Sequence, residues 1–312
     1  MSIITTHEAN KSSSASLFFP LISGKYIPNK LWLSKRFRFK FALRSLISPI
    51  TTLRYLHQLS HLPQIDQMMN LQGLLPAKLH RPYLRAGFSV AARAQAILDH
   101  YQFIEQLKNM PLRQLLQSAG DNVIATFLMT CSPGYYDREG EVTLVLRYQQ
   151  QVIASLSFSI INENQQRTLL IGGLQGPRKN ISNEVIREAT KAAHGVFPKR
   201  LLMEAVFIFA EQCEANKIAA VGENTHVFSS MRYRHSKSGH FFASYSEFWL
   251  SLNGEARADG LFTLPLNLPR KSLEDIASKK RAEYRRRYEL LDGLAEQVYA
   301  AAGQRKVDQA AA

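Results

Sequence analysis

Between Ser89 and Met110, Val90, Ala94, Ile97, Tyr101, Ile104 and Leu107 recur at intervals of three and four. That spacing lines one helical face, and Ser89 stands where an N-terminal cap is expected. Pro111 to Ser118 predicts a shorter helix, ended by Gly120. The period then drops to two. Asn122 to Met129 is apolar and β-branched. Val142, Leu144 and Leu146 alternate with Thr143, Val145 and Arg147, Gln149-Gln150 is turn-like, and Val152, Ala154, Leu156, Phe158 and Ile160 alternate from Gln151 to Ile161. Thr168 to Ile171 adds a strand, so the stretch reads as an antiparallel meander.

A polar helix follows from Ser182 to Ala193, then a strongly apolar one from Pro198 to Asn216 and a strand at Ile218–Val221. Further strands are expected at His240–Ser244, Glu247–Leu252 and Leu261–Leu264. Near the C-terminus, Ser272-Leu-Glu-Asp275 resembles a capping box, and Ile276, Lys280, Tyr284, Tyr288, Leu291, Leu294 and Val298 share a helical stripe. The fold class is therefore α+β, a mostly antiparallel sheet flanked by helices, after an N-terminal helical region. Residues 1–24 are expected to be flexible, 25–118 basic and mainly helical, 119–300 an α+β core with a basic C-terminal helix, and 301–312 a frayed tail.

Charge changes this picture. Lys plus Arg number 39 against 25 Asp plus Glu, a net charge of +14. Such a balance favours an anionic partner: a phosphate-bearing ligand, an anionic membrane surface or, less readily, nucleic acid. No acidic residue lies between Glu8 and Asp66, whereas nine bases do, among them Lys35, Arg36, Arg38 and Lys40 interleaved with Phe37, Phe39 and Phe41. This pattern suits an amphipathic membrane-surface segment, a single-strand nucleic-acid face, or a basic helix whose aromatics enter the core. No recognised nucleic-acid module is legible. The second dense cluster, Lys279, Lys280, Arg281, Arg285, Arg286 and Arg287, reads either as the solvated back of a packed helix or as a phosphate or headgroup contact.

The two cysteines, Cys131 and Cys213, argue against a disulfide scaffold and a cysteine-based zinc site, and fit a reducing compartment. His226, His235 and His240 match no zinc spacing, so no metal is expected. The apolar run Ser16–Ile22 is short and broken by Pro20, a poor secretory signal. No stretch reaches the roughly 18–20 apolar residues of a membrane span. A cytoplasmic protein is expected, with peripheral contact at the inner membrane left open.

The candidate chemistry lies between Arg167 and His226. A strand runs into Gly172-Gly173-Leu174-Gln175-Gly176-Pro177, and the apolar helix at Pro198 carries Lys199 and Arg200 in its first turn. Gly172, Gly173, Gln175 and Gly176 form a turn through which backbone amides can approach a phosphate. Cations at a helix N-terminus act against its dipole, so Lys199 and Arg200 hint at an anionic ligand. The alternative is a tight turn beside a solvated helix start. Gly222-Glu223-Asn224-Thr225-His226 follows a strand, where ligands commonly sit. Glu223 or His226 can serve as a general base; alternatively Asn224 or Thr225 caps a helix and Glu223 is a surface residue. Ser155, Ser157 and Ser159 lack a nucleophile elbow and receive no chemistry.

Several motifs fall together in order: Arg81-Pro-Tyr-Leu84, Leu170-Ile-Gly-Gly-Leu-Gln-Gly-Pro177, Pro198-Lys-Arg-Leu-Leu-Met203 and Ser278-Lys-Lys-Arg-Ala-Glu-Tyr-Arg-Arg-Arg-Tyr-Glu-Leu-Leu-Asp292. From Leu74 to Asp292 the chain resembles the VirK/YbjX proteins of Gram-negative bacteria. The resemblance implies links to virulence, envelope stress and resistance to cationic antimicrobial peptides; it carries over no catalytic residue. The element order is also similar to GNAT-like acyltransferases, in which amides between the fourth strand and the next helix hold the pyrophosphate of an acyl-CoA. That similarity implies acyl-CoA as co-substrate, with Glu223 or His226 as base. The superfamily's glutamine/arginine-x-x-glycine-x-glycine/alanine signature is absent, and the helix Ser182–Ala193 is an addition. The alternative is a non-catalytic basic adaptor for an anionic membrane or a protein partner. The oligomeric state is not legible.

Overall fold

The computed structural model describes residues 17–62, 65–106, 117–120, 123–126, 136–229 and 245–301. The chain divides into two units, Met1–His80 and Arg81–Ala312.

The first unit is helical: α1 (Phe18–Ser23), a 3-10 turn (Lys30–Leu33), α2 (Lys35–Ile47), α3 (Pro49–Ser60), α4 (Ile65–Leu71) and α5 (Leu75–Lys78). The flexible segment expected over 1–24 is corrected in part. Residues 1–16 lie outside the described residues, but Phe18–Ser23 is a helix. It is closed by Gly24 at φ 82° and anchored by the buried Leu21. Ser34 starts α2 by accepting the Phe37 N–H at 3.3 Å, and Pro49 opens α3. Trp32 is fully buried and donates from Nε1 to the Gly73 carbonyl at 2.6 Å. Its ring meets Phe37 and Phe41 edge-on at 4.9 and 5.1 Å. Tyr55 likewise donates to the Leu75 carbonyl at 2.8 Å. Both aromatics thus bury their apolar bodies with the polar group satisfied.

The second unit begins with α6 (Val90–Gln106) and a separate hairpin, β1 (Gln117–Gly120) with β2 (Val123–Thr126). The helix expected from Pro111 ends differently: 111–116 lie outside the described residues, and Gln117 and Ser118 are in β1. The main sheet is built from β3 (Val142–Tyr148), β4 (Gln151–Glu163), β5 (Gln166–Gln175), β6 (Lys217–Val221), β7 (Glu255–Ala256) and β8 (Leu261–Leu264). Its order is β3-β4-β5-β6-β8-β7. All neighbours are antiparallel except β5 and β6. A parallel pair needs a crossover, here α7 (Asn183–Ala192) and α8 (Pro198–Gln212). Two-residue turns with positive φ, Gln149-Gln150 and Asn164-Gln165, set the hairpin registers. The unit ends with α9 (Tyr245–Ser251), the β7–β8 hairpin and α10 (Ser278–Ala301).

Residues Ile153–Ile161 of β4 are all buried, so both faces of this central strand are covered. On its serine face Ser157 pairs with Thr143 and Ser159 with the Tyr83 hydroxyl, each at 2.8 Å, while the buried Ser155 hydroxyl has no partner among the described residues. β3 stops opposite Phe158. Beyond it, α6 supplies the missing acceptors: Asp99 takes the Asn162 N–H at 2.9 Å and His100 takes the Ile160 N–H at 3.1 Å. A buried amide without such a partner would cost about 1–3 kcal/mol. This pairing draws α6 into the sheet unit, although its sequence position groups it with the N-terminal helices.

Two other expectations are corrected. Glu247–Leu252 is helical, in α9 and its C-terminal cap, because Tyr245 and Trp249, four apart, are both buried while Leu250 is exposed. Ser272–Asp275 does not cap α10. It closes a turn of its own, with Asp275 N–H donating to the Ser272 carbonyl at 3.2 Å, and α10 starts at Ser278. The strand expected at His240–Ser244 lies outside the described residues.

Candidate functional site

The end of β5, the turn after β6 and the start of α9 meet around one buried carboxylate, Glu139. At Gly172 the β4–β5 register slips: Ser157 pairs with Gly173 and Phe158 with Ile171, leaving Gly172 as the bulged residue. The chain 138–140 crosses there. A Cβ on Gly172 would stand 2.0 Å from the Glu139 carbonyl oxygen, and one on Gly173 would stand 1.9 Å from Glu139 Oε2. Both glycines are buried. They are needed for this crossing.

Glu139 is 2% exposed. Its Oε1 accepts from Gln175 Nε2 at 3.1 Å and lies 3.3 Å from His226 Nε2. Its Oε2 is buried with no hydrogen-bond partner among the described residues. His226 is fully buried, and its Nδ1 accepts the Phe228 N–H at 3.3 Å. With Nδ1 accepting, Nε2 is the ring nitrogen left to donate, and it faces Glu139. Tyr245 packs 5.6 Å from the His226 ring and stacks on Trp249 at 5.9 Å. Its hydroxyl accepts the Leu174 N–H at 3.2 Å. Burial, then the nearby Glu139 and Glu223 carboxylates, push its pKa far up, so it remains a neutral phenol.

The turn after β6 is closed by Thr225. Its Oγ1 accepts the Gly222 N–H at 2.8 Å and donates to the Gly260 carbonyl at 2.9 Å. Glu223 reaches across to α9, accepting the Ser246 N–H at 2.9 Å on Oε1 and the Ser246 hydroxyl on Oε2. Burial pulls its pKa upward, but these hydrogen bonds outweigh it and the carboxyl ends below its ordinary value. Glu223 thus serves as the N-terminal cap of α9, supplied from a distant turn.

The open part of the site is the start of α8. Phe197 gives no side-chain cap there. Gly176 lies against the Lys199 stem at 3.8 Å from its Cε for an added Cβ. The Lys199 ammonium sits 5.9 Å over the Phe248 ring, and burial lowers its pKa. Arg200 is committed to Glu204 at 3.0 Å. The structure therefore brings together Gln175, Gly176, Lys199, Glu223 and His226, with Gly172 and Gly173 beneath Glu139. The sequence reading missed Glu139, Tyr245, Ser246 and Phe248. Only Gly140 beside Glu139 hinted at a close crossing: a Cβ there would meet the Phe158 carbonyl at 2.4 Å.

The basic residues of α10 separate into two groups. Arg281 donates to the Ile276 carbonyl at 2.9 Å, and Arg287 to the His194 carbonyl at 2.9 Å while lying over Tyr284 at 4.2 Å. Lys279, Lys280, Arg285 and Arg286 are exposed. Lys35, Arg36 and Lys40 are exposed on α2, whereas Arg38 is half-buried and donates to the Trp32 carbonyl at 2.9 Å. His235 and His240 lie outside the described residues. Among the described residues no group of three or more His, Cys, Asp or Glu is placed to hold a metal, and no helix is long and apolar enough to cross a membrane.

Comparison with known proteins gives the lineage. The family model described as "Protein of unknown function (DUF535)" matches residues 30–300. The uncharacterized protein YbjX of Escherichia coli K12 is 40% identical over 92% of this chain and 89% of its own length. An uncharacterized protein of Haemophilus influenzae is 34% identical over 67% of this chain and 70% of its own. A Mannheimia haemolytica protein named membrane protein LapB is 28% identical over 57% and 78%. No solved structure matches. With its family motifs lying along β5, α8 and α10 and a family match covering nearly the whole chain, this protein belongs to the DUF535 family, the VirK/YbjX proteins.

Proposed function

We propose that the sheet unit is a GNAT-like domain that binds the phosphate group of an acyl donor, such as an acyl-CoA, at the start of α8 and transfers its acyl group. The observation that supports this most is the sheet order. Antiparallel strands lead to β5, which lies parallel to β6 across the α7–α8 crossover and is followed by the antiparallel β8–β7 pair. In such an order the end of β5 and the first turn of α8 face a common ligand position. Two features of α8 fit an anion there. Its first amides have no side-chain cap, and Lys199 keeps a half-buried ammonium with no carboxylate in an ion pair among the described residues.

In this reading Gly176 and Lys199 contact phosphate directly. Gly172 and Gly173 allow the crossing of Glu139 rather than cradling the ligand. Glu223 and His226 act as positioning residues, because Ser246 occupies the first and the second is sealed against Glu139. A link to virulence, envelope stress or peptide resistance remains an implication of family resemblance. A transferase acting on an envelope component is one chemical route to it.

The test is thermal stabilisation by CoA, acetyl-CoA and long-chain acyl-CoA, with pyrophosphate as control. A ligand at about 100 times its Kd adds about 2.7 kcal/mol to the native state. Saturable stabilisation by a CoA thioester, above that by pyrophosphate and lost in Lys199→Met, is expected. Equal stabilisation of Lys199→Met moves the phosphate away from α8. No stabilisation at millimolar donor ends the reading.

A further inference from the structure

Ten of the thirteen large apolar side chains exposed among the described residues lie between Phe19 and Leu53. Single exposed apolar residues need no explanation, but such a concentration does. Along α2 the residues sort into three stripes, each at intervals of about four. Phe37, Phe41 and Ser45 face inward, half-buried or buried. Phe39, Leu43 and Ile47 project outward, Phe39 with 69% and Ile47 with 78% of its surface exposed. Arg36, Lys40 and Arg44 form the third stripe beside the second, Arg36 and Lys40 exposed and Arg44 half-buried. Ile50, 72% exposed, continues the apolar face into α3.

Beside these stripes lies an open cavity of about 700 Å³ lined by Phe19, Ile22 and Phe39, with Lys25, Lys35 and Arg38 on its wall. Arg38 spends Nη1 on the Trp32 carbonyl, and its buried Nε has no hydrogen-bond partner among the described residues. Its guanidinium packs over Gly24, where a Cβ would stand 2.5 Å from Nη1. The floor suits an acyl chain, and the bases beside it suit an anionic headgroup.

We infer that this face of the N-terminal unit docks on an anionic phospholipid bilayer, with α2 lying in the plane of the interface. The exposed Phe39, Leu43 and Ile47 beside the exposed Arg36 and Lys40 give this face both the apolar side chains and the bases that such a position uses. Charge complementarity supplies the second argument, since no acidic residue occurs from residue 9 to 65 to oppose the nine bases. Nucleic acid fits less well. Its bases stack on aromatic rings, and most of the exposed apolar residues here are Leu and Ile. The inference is independent of acyl-donor binding in the sheet unit, and either can hold without the other.

Flotation of the full chain with vesicles tests it. One set contains phosphatidylcholine alone, and the other includes about 30% phosphatidylglycerol. Salt is set at about 50 mM and about 500 mM, where the screening length falls more than threefold. Binding is expected to the anionic vesicles at low salt, to weaken at high salt, and to be negligible on the neutral ones. Arg36→Ala with Lys40→Ala should lower the partition coefficient about fivefold per base, roughly twenty-five-fold together. Phe39→Ser with Ile47→Ser should abolish flotation at both salt concentrations while leaving the melting temperature unchanged. If that pair perturbs folding, Leu43→Ser with Ile50→Ser replaces it.

Equal binding to neutral vesicles overturns the inference. So does no binding to anionic vesicles at low salt, or retention by both variant pairs. A concentration-dependent dimer that Phe39→Ser with Ile47→Ser dissociates, in protein that ignores vesicles, overturns it in favour of self-association.

Discussion

The Glu139 carboxylate lies on Gly173: a Cβ at position 173 would stand 1.9 Å from Oε2, while one at the neighbouring Gly172 would meet the Glu139 carbonyl oxygen at 2.0 Å. The two glycines are therefore required by different atoms of the same residue. Gly173→Ala should destabilise the protein by about 1–3 kcal/mol, and Gly172→Ala by at least as much. Shortening Glu139 to Ala should recover much of the loss for Gly173→Ala and none for Gly172→Ala, because no side-chain change moves a carbonyl. Urea denaturation of the single and double variants measures this coupling. Equal rescue of both would show that the crossing is not where we describe it.

Glu223 holds the first turn of α9 through Ser246. Glu223→Ala should cost about 1 kcal/mol, the usual loss for removing a cap. Glu223→Gln should cost less, since its amide oxygen still accepts the Ser246 N–H. If donor transfer is detected, both variants should change it through KM and stability together, without removing a pH-dependent step. A selective loss of kcat with unchanged stability would instead make Glu223 a proton acceptor.

Glu163 predicts a pH dependence. Arg257 donates to its two oxygens at 2.8 and 3.0 Å and Lys217 donates at 2.9 Å, while Arg257 also pairs with Asp259. The Arg257 hydrogen bond is the main cause of a folded pKa below the ordinary 4.5, with burial opposing it. Near that pH the unfolded chain binds more protons, so acid favours unfolding. The stabilisation is fully present above the unfolded value and disappears as pH falls through the folded one. The stability gap between wild type and Glu163→Gln should therefore be flat above about pH 5.5 and narrow on further acidification. A gap that widens in acid would refute the assignment.

Cys213 is 4% exposed and its pKa is pushed up to about 12, chiefly by burial, with Arg167 opposing and Glu214 adding to the shift. A buried thiol of this kind reacts only when the structure opens. In a Cys131→Ser background, alkylation should be negligible in native buffer and should rise along the denaturation curve. Rapid labelling of native protein would mean that the end of α8 opens readily.

Much of this fold was legible along the chain. The alternation at 142–161 predicted β3 and β4, the apolar run after Pro198 predicted α8, and Ser182 stood where it caps α7. Period, caps and breakers are local properties, and the family motifs are strings of neighbours. The errors arose where partners are distant in sequence. Glu247–Leu252 reads as a strand, but it lies in a helix capped by Glu223, more than twenty residues earlier. Gly172 and Gly173 resemble a phosphate turn by composition alone, and only the crossing of residue 139 explains them. Likewise, the bases and aromatics of α2 were visible as a mixture. Which aromatic enters the core and which faces outward was decided by Trp32 and the helices around it. The sequence by itself determined the elements, the charge and the lineage, because these depend on near neighbours. The tertiary structure decided which carboxylate is buried, which glycine is covered and which apolar face is left exposed, because those depend on contacts between residues far apart along the chain.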